Sequence, residues 1–197
     1  MQLEEARKVG VEVIEMLAPR CERVMIAGSV RRGKPEPKDI EIVLIPAMAE
    51  RRVDLFTTEQ VYSLDQVVLP ELVEGRLVLD PELKRDGPRY KRLIHVRMGA
   101  VVEVVAARPE TWGYILALRT GPAEFMHKLV TARSQGGAMP FRRGVKGGQM
   151  WRFSEGRMRE LATPTEADFF REVALPCWPA PERTLERLEQ YLKSGGE

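Results

Sequence analysis

The 197 residues, 44% hydrophobic and 30% charged, have the composition of a globular protein that buries a core. A formal net charge of only +2 argues against binding nucleic acid through overall basicity. The charged opening MQLEEARK and the lack of a long apolar run argue against a signal peptide and a membrane span. With two cysteines, Cys21 and Cys177, we expect a cytoplasmic protein.

The chain opens with the pattern of a helix and a strand. Pro19 ends a run of apolar residues at helical spacing, which are Leu3, Ala6, Val9, Val13, Ile14 and Leu17. The residues from Arg23 to Ala27 then predict a first strand, which the helix would cover.

A distinctive stretch follows, VMIAGSVRRGKPEPKDIEIVLI from Val24 to Ile45. Asp39 and Glu41 stand two apart in an apolar run, so a strand would point both to one face and Ile40 and Ile42 to the core. Two carboxylates side by side repel each other unless a divalent cation neutralises them. The Gly28–Ser29 turn offers backbone N–H groups, which with a nearby arginine suit a phosphate. The alternative is an acidic edge strand in water and an ordinary basic turn.

The middle of the chain predicts a short helix or loop, a strand near Arg76 to Leu79, and a β-hairpin. The hairpin would have a turn at Asp86-Gly87-Pro88, a strand ending near Arg97, and a strand from Ala100 to Ala106. Glu103 sits among four valines in the last strand, and a carboxylate is costly to bury there unless a positive group meets it. Glu103 is therefore the best candidate for a third metal carboxylate. The basic residues Arg89, Lys91 and Arg92 fit either a DNA backbone contact or a solvated face.

The last third predicts four helices around a glycine-rich segment. The first helix ends at Thr120-Gly121, the next runs from Pro122 to Thr131, and a short one begins at the cap residue Thr165, before a final amphipathic helix. Between them lie predicted strands around Met150 to Phe153 and Arg157 to Leu161.

The glycine-rich segment is also basic. Its cations are Arg142, Arg143, Lys146, Arg152, Arg157 and Arg159. Such a stripe suits a phosphate backbone, and Arg142, Arg143, Lys146 and Arg152 are the candidate DNA-binding residues, although a solvated loop has the same composition. Trp151 within it fits either packing or contact with nucleic acid.

Taken together, GSVRRG, the DIE strand, VVEVV, WGYILALRTG and PTEADFFREVALPCWPAPER resemble the DNA polymerase beta nucleotidyltransferase superfamily. Within it, the RRG points to family X DNA polymerases in a minimal palm-plus-thumb form, similar to phage-encoded stand-alone members. The resemblance implies an α+β fold. Residues 1–119 would form a palm, with a mixed, mostly antiparallel sheet and helices on one face, and residues 120–197 a small α/β thumb.

The resemblance also implies site residues. Asp39, Glu41 and Glu103 would be the catalytic carboxylates that hold two Mg²⁺ ions, with Mn²⁺ as a possible substitute. The positions near the nucleotide are Gly28, Ser29, Arg32, Lys38, Leu118, Arg119 and Gly121. A cis peptide bond is expected between Gly121 and Pro122, where the chain would bend beside the nucleotide.

Several residues depart from the family pattern. Two metal ligands are glutamates where the family has aspartates, and Leu118 and Arg119 replace an aromatic pair beside the nucleotide sugar. Lys38 replaces a glycine near the triphosphate, and Met126 replaces an asparagine that contacts the base. We expect the lyase and fingers domains of the family to be absent, so that palm and thumb alone would hold DNA.

The expected function is metal-dependent addition of nucleotides to a DNA 3′-hydroxyl, for gap filling or repair. Its partners would be a nucleoside triphosphate and a DNA primer or gapped DNA, with the protein a monomer that binds no membrane. Two alternatives stay open. One is nucleotidyl transfer to an RNA, protein or small-molecule acceptor, and the other is a non-catalytic nucleic-acid-binding module.

Overall fold

The computed structural model describes residues 1–52, 54, 57–82 and 87–195, and it confirms an α+β fold. Two compact units divide the chain, Met1–Arg108 and Pro109–Glu197. The elements of the N-terminal unit are α1 (Leu3–Leu17), β1 (Cys21–Ile26), α2 (Gly28–Arg31), β2 (Ile40–Pro46), β3 (Met48–Arg52), β4 (Thr58–Tyr62), α3 (Leu64–Val73), β5 (Leu77–Leu79), β6 (Tyr90–His95) and β7 (Ala100–Ala106).

Five strands of this unit form one mixed sheet in the order β1-β2-β7-β6-β5. Strands β2 and β7 run parallel, and the other three neighbouring pairs are antiparallel. The predicted mixed, mostly antiparallel sheet is thus confirmed. Strands β3 and β4 form a separate two-stranded hairpin.

One face of the five-stranded sheet forms the hydrophobic core with helices α1 and α3. Ile40 and Ile42 of β2 and Val104 of β7 are fully buried there. The alternation of side chains along a strand then turns the residues between them, such as Glu41 and Glu103, to the opposite face. The sheet therefore separates a packed apolar face from a face that carries acidic residues.

Most predicted elements of this unit are confirmed, with shifts at their ends. Strand β2 begins at Ile40, so Asp39 lies immediately before it rather than within it. Helix α3 and the β3–β4 hairpin were not resolved by the sequence pattern. Pro70 inside α3 lacks the N–H that a helix interior uses, which weakens the helical signal. Asp86 of the predicted turn lies outside the described residues.

The C-terminal unit joins helices to a small antiparallel sheet of order β8-β9-β10. Its elements are α4 (Trp112–Thr120), α5 (Ala123–Val130), β8 (Arg143–Lys146), β9 (Gln149–Ser154), β10 (Arg157–Leu161), α6 (Glu166–Glu172) and α7 (Leu185–Lys193). Aromatic residues form much of its core, including Trp112, Phe125, Phe169, Phe170 and Trp178. The predicted cap of α6 is confirmed, because the Thr165 and Asp168 side chains each bond the other residue's backbone N–H.

The division between the units falls before α4, whereas the sequence placed it after Arg119. Helix α4 packs within the C-terminal unit. The Gly113 N–H donates to the Thr163 carbonyl at 2.7 Å, and the rings of Tyr114 and Phe169 lie 5.3 Å apart. Palm and thumb remain predicted names for the two parts.

The predicted cis bond between Gly121 and Pro122 is wrong, because none of the described peptide bonds is cis. Gly121 is extended, at φ −69° and ψ 151°. Its N–H donates to the Ala117 carbonyl, and the Pro122 carbonyl accepts from the Met126 N–H, so a trans bond satisfies both helix ends. An X–Pro bond prefers trans by roughly 0.5–1 kcal/mol. This turn departs from what the resemblance implies.

Among the described residues, none of the helices has the length and apolar character that a membrane span requires.

Candidate functional site

Gly28 and Ser29, which the sequence predicted as a turn, form the first residues of the short helix α2, and we keep the name Gly28–Ser29 turn for them. This turn lies directly against the carboxylate of Glu41. Gly28 has a left-handed φ of +62°, and a Cβ at this position would overlap Glu41 Oε2. The Ala27 N–H also donates to the Glu41 carbonyl oxygen at 2.7 Å. The backbone conformation therefore favours glycine here, and any side chain at this position would make the Glu41 carboxylate shift.

Glu41 and Glu103 are register partners on the parallel strands β2 and β7. Asp39 is close enough to Glu103 to interact with it electrostatically. Burial raises the pKa of the Asp39 carboxyl, and the negative charge of Glu103 raises it further, against the opposing effect of Arg92. The structure thus places Glu41 and Glu103 side by side on neighbouring strands, with Asp39 within electrostatic reach of Glu103.

Arg92 is a cation that contacts this cluster directly. It pairs in register with Glu103 across β6 and β7, and its Nη1 lies 2.9 Å from Glu103 Oε1. Its Nε donates to Asp80 Oδ2 at 2.6 Å. The hydrogen bond to Asp80, and then the bond to Glu103, raises the pKa of Arg92, while the bond from Arg92 lowers the pKa of Asp80. Arg92 thus supplies the positive group that Glu103 needs among its valines.

A polar row therefore crosses the sheet from the Gly28 turn through Glu41, Glu103 and Arg92 to Asp80, which is 6% exposed. Sequence reasoning missed Asp80, and it did not assign Arg92 to this cluster. The alternation of β6 was the available signal for Arg92, because buried Lys91 and Leu93 flank it and turn it to the face of Glu103. Nothing in the sequence around Asp80 indicated its partner.

Three further predicted nucleotide-binding residues, Ser29, Arg32 and Lys38, lie between Gly28 and Asp39 in the sequence. Ser29 Oγ is buried and has no hydrogen-bond partner among the described residues. Such a buried group is costly to leave unpaired. Arg32 is half-buried directly after α2. Lys38 is exposed and borders an open groove beside the start of α1, together with Gln2 and Glu5.

Three predicted nucleotide-binding residues, Leu118, Arg119 and Gly121, belong to the C-terminal unit. Leu118 and Arg119 are half-buried at the end of α4. Gly121 lies against Met126, since an added Cβ would come within 2.6 Å of the Met126 sulfur. Met126, which stands where the family has an asparagine that contacts the base, is only 4% exposed, so its side chain packs in the core.

The four candidate DNA-binding residues differ in their surroundings. Arg143 and Arg152 are register partners, and both bind Glu172 of α6, at 2.9 and 3.4 Å. Of these four predicted residues, Arg142 and Lys146 are exposed, while Arg143 and Arg152 are paired with a carboxylate.

Among the described residues, no three Asp, Glu, His or Cys side chains converge as a ready metal site. In this conformation Glu103 is bound to Arg92 instead. The donor chemistry nevertheless fits a hard divalent cation, since carboxylate oxygens are the ligands that Mg²⁺ prefers. The surroundings of Asp39 also fit a bound cation. Burial and the charge of Glu103 raise the pKa of Asp39 because both disfavour its ionised form, and a bound cation would favour that form.

No protein-family model matches the chain, and no curated protein matches it.

Proposed function

We propose that the protein is a metal-dependent nucleotidyltransferase that adds nucleotides to a DNA 3′-hydroxyl, in the manner of a family X polymerase. One observation carries this proposal: the Gly28–Ser29 turn is packed on Glu41, which lies in register with Glu103 beside Asp39. A tight turn with backbone N–H groups next to clustered carboxylates suits a polyphosphate and the cations that accompany it.

Asp39, Glu41 and Glu103 are the residues that would hold the metal. When bound, two Mg²⁺ ions would lower the pKa of the attacking hydroxyl and offset the charge of the leaving pyrophosphate. Glu103 would have to share its carboxylate with Arg92 or release it, because Arg92 Nη1 already occupies Oε1. Arg92 would then keep Asp80 as its partner, so it would not be left without a counter-charge.

The turn would bind the triphosphate. Ser29 Oγ, buried and without a partner among the described side chains and backbone, would donate to a phosphate oxygen. Arg32 would add positive charge at the same end of the site, and an arginine matches phosphate geometry well. Gly28 would allow this backbone to approach closely, since any side chain there would displace Glu41.

The proposal is tested by incorporation of each labelled dNTP and NTP on a one-nucleotide-gapped duplex and on the matching single strand. The expected result is addition of only the complementary nucleotide at the gap. Untemplated addition to the single strand would replace the polymerase with a terminal transferase, and no addition to either would overturn the proposal.

Two observations favour the alternatives. Half-buried Leu118 and Arg119, in place of an aromatic pair, favour nucleotidyl transfer to an RNA, protein or small-molecule acceptor. The ion pair between Arg92 and Glu103 favours a non-catalytic nucleic-acid-binding protein, because it satisfies the Glu103 charge without a metal. Mg²⁺-dependent hydrolysis or transfer of a nucleotide, lost in Asp39→Asn, would exclude the second alternative.

A further inference from the structure

One face of the small sheet in the C-terminal unit exposes aromatic and cationic residues that the proposed active site does not use. In an antiparallel sheet, residues opposite each other point to the same face. Trp151 lies opposite Gly144, and Phe153 lies opposite Met158. We call this surface the platform, formed by Arg142, Gly144, Lys146, Trp151, Phe153 and Met158, which line one open groove of about 290 Å³.

The platform is unusually apolar for a solvent-facing surface. Phe153 is 50% exposed and Met158 51% exposed, side by side on β9 and β10. Trp151 is half-buried, and its indole Nε1 donates to the Lys146 carbonyl at 3.2 Å, which fixes the ring. Exposed apolar side chains that cluster beside an aromatic ring in this way mark a surface for binding.

Gly144 leaves an open position beside Trp151. An added Cβ there would meet no atom within 4 Å, and Gly144 does not have a left-handed φ that would demand glycine. The groove therefore continues past the indole, and its 290 Å³ is close to the lower end of pockets that bind small ligands, about 300 Å³. A flat ring such as a nucleobase would fit against such an opening.

The charges near the platform favour an anionic partner. Arg142 and Lys146 are both exposed, and Lys146 adjoins Trp151 through the indole hydrogen bond. The carboxylate on this face, Glu160, lies opposite Trp151 and accepts a hydrogen bond from Gln149 Nε2 at 2.8 Å. Aromatic rings flanked by cations are the combination that binds single-stranded nucleic acid, since bases stack on the rings while the cations meet phosphates.

We infer that the platform binds unpaired nucleotides of a single-stranded nucleic acid, with bases stacked on Trp151 and Phe153 and phosphates beside Arg142 and Lys146. This inference rests on the proposed function, which supplies a nucleic-acid substrate, and it adds a second contact to that substrate. A duplex would not offer its bases to these rings, because its bases are already stacked.

The test is fluorescence anisotropy of a labelled single-stranded oligonucleotide, together with quenching of tryptophan emission on binding. Phe153→Ala should weaken binding about tenfold, in the range of alanine substitutions at stacking aromatics. Gly144→Val should weaken it as well, because the new side chain fills the opening beside Trp151 without removing any group. Gly87→Val is the matched control, since a Cβ at Gly87 also meets nothing within 4 Å.

Far-ultraviolet circular dichroism of each variant checks folding, and the Gly144→Val result decides the question if Phe153→Ala does not fold. Binding equal to the wild type in Gly144→Val overturns the inference. So does a wild type that binds no single strand, or one that binds duplex through the same residues. A dimer that Phe153→Ala converts to a monomer would make the platform a self-association surface instead.

The incorporation assay at the gap keeps the two proposals separate. A wild type that incorporates nucleotides, while Gly144→Val binds single strands normally, would reject the platform and leave the proposed function standing. A wild type that binds single strands through the platform yet incorporates nothing would reject the proposed function and leave the binding role of the platform standing.

Discussion

At the scale of single residues, the site depends on a close approach of the Gly28 backbone to the Glu41 carboxylate. A side chain at residue 28 would overlap Glu41 Oε2 and would also have to adopt a left-handed φ of +62°. A left-handed conformation alone costs a non-glycine residue roughly 1–2 kcal/mol. Gly33 has a similar φ of +75°, yet a Cβ there meets nothing within 4 Å. A substitution at Gly33 therefore carries the backbone cost without the steric overlap.

Gly28→Ala should therefore lower the free energy of unfolding by about 2–5 kcal/mol, since overpacking adds about 1–3 kcal/mol to the backbone cost of about 1–2 kcal/mol. Gly33→Ala should lose only the backbone part. Urea unfolding measures the difference between the two variants. Because Gly28→Ala should also displace Glu41, nucleotide incorporation should fall more than tenfold in this variant but not in Gly33→Ala. Equal losses of stability in Gly28→Ala and Gly33→Ala would show that a side chain at residue 28 does not overlap Glu41.

The charge of Asp39 gives a second prediction at this scale. Because the pKa of Asp39 is raised in the fold, the folded protein binds this proton more tightly than the unfolded chain. Stability therefore falls as the pH rises through the window between the ordinary pKa of about 3.9 and the raised one, and the penalty is present at neutral pH. Asp39→Asn removes the ionised carboxylate and with it this penalty.

We accordingly expect metal-free Asp39→Asn to be at least as stable as the wild type at pH 7, and the difference to shrink as the pH is lowered. Mg²⁺ should raise the unfolding temperature of the wild type and not of the variant, because only a folded state that binds the ion is stabilised by it. Differential scanning calorimetry with and without Mg²⁺ measures both effects. A variant much less stable than the wild type, or equally stabilised by Mg²⁺, would contradict the assignment.

At the scale of elements, α4 packs so closely on the turn before α6 that Gly113 has no room for a side chain. A Cβ at Gly113 would overlap the backbone carbonyl of Thr165, and backbone atoms cannot move aside cheaply. Gly113→Ala should therefore destabilise the C-terminal unit by about 1–3 kcal/mol or more, although alanine is the better helix former. Arg119→Ala, in the same helix and half-buried, is the control and should cost less.

Thermal unfolding followed by circular dichroism measures this cost. A Gly113→Ala variant as stable as the wild type would show that α4 does not pack on the Thr163–Thr165 segment as the hydrogen bond from Gly113 indicates.

Periodicity was sufficient to predict the elements that bury one regular face. The apolar spacing of α1, the alternation of β2 and the hairpin of β6 and β7 all mark their elements in the sequence, and the α6 cap is read from Thr165 and Asp168. Helix α3 was ambiguous because Pro70 interrupts it, and β8 was missed because it is four residues long and includes Gly144. Short elements of this kind are stabilised by their neighbours in the fold rather than by their own pattern.

The candidate site was predictable only where one strand fixed the geometry. Alternation along β2 and β7 is enough to turn Glu41 and Glu103 to one face. The register that sets Glu41 opposite Glu103, and the bond from Arg92 to Asp80, join segments far apart in sequence and needed the folded sheet. The trans bond at Pro122 shows the limit of carrying a detail over from a resemblance.

At the scale of the whole molecule, two units divide the chemistry that the proposed function requires. The clustered carboxylates and the Gly28–Ser29 turn lie in Met1–Arg108, while the platform and the exposed cations Arg142 and Lys146 lie in Pro109–Glu197. This division agrees with a protein in which one unit performs transfer and the other contributes to holding the nucleic acid. The net charge of +2 fits a local basic surface better than a uniformly basic one.

Single-turnover incorporation at a one-nucleotide gap shows whether Asp39, Glu41 and Glu103 support nucleotidyl transfer, as we propose. The assay compares wild type with Asp39→Asn, with Mg²⁺ and with a chelator, and Gly33→Ala serves as a folded control. We expect Mg²⁺-dependent addition by wild type and Gly33→Ala, and a loss of more than a thousandfold in Asp39→Asn, on the order of 4 kcal/mol of transition-state stabilisation. Addition retained by Asp39→Asn would contradict the role of these carboxylates in transfer.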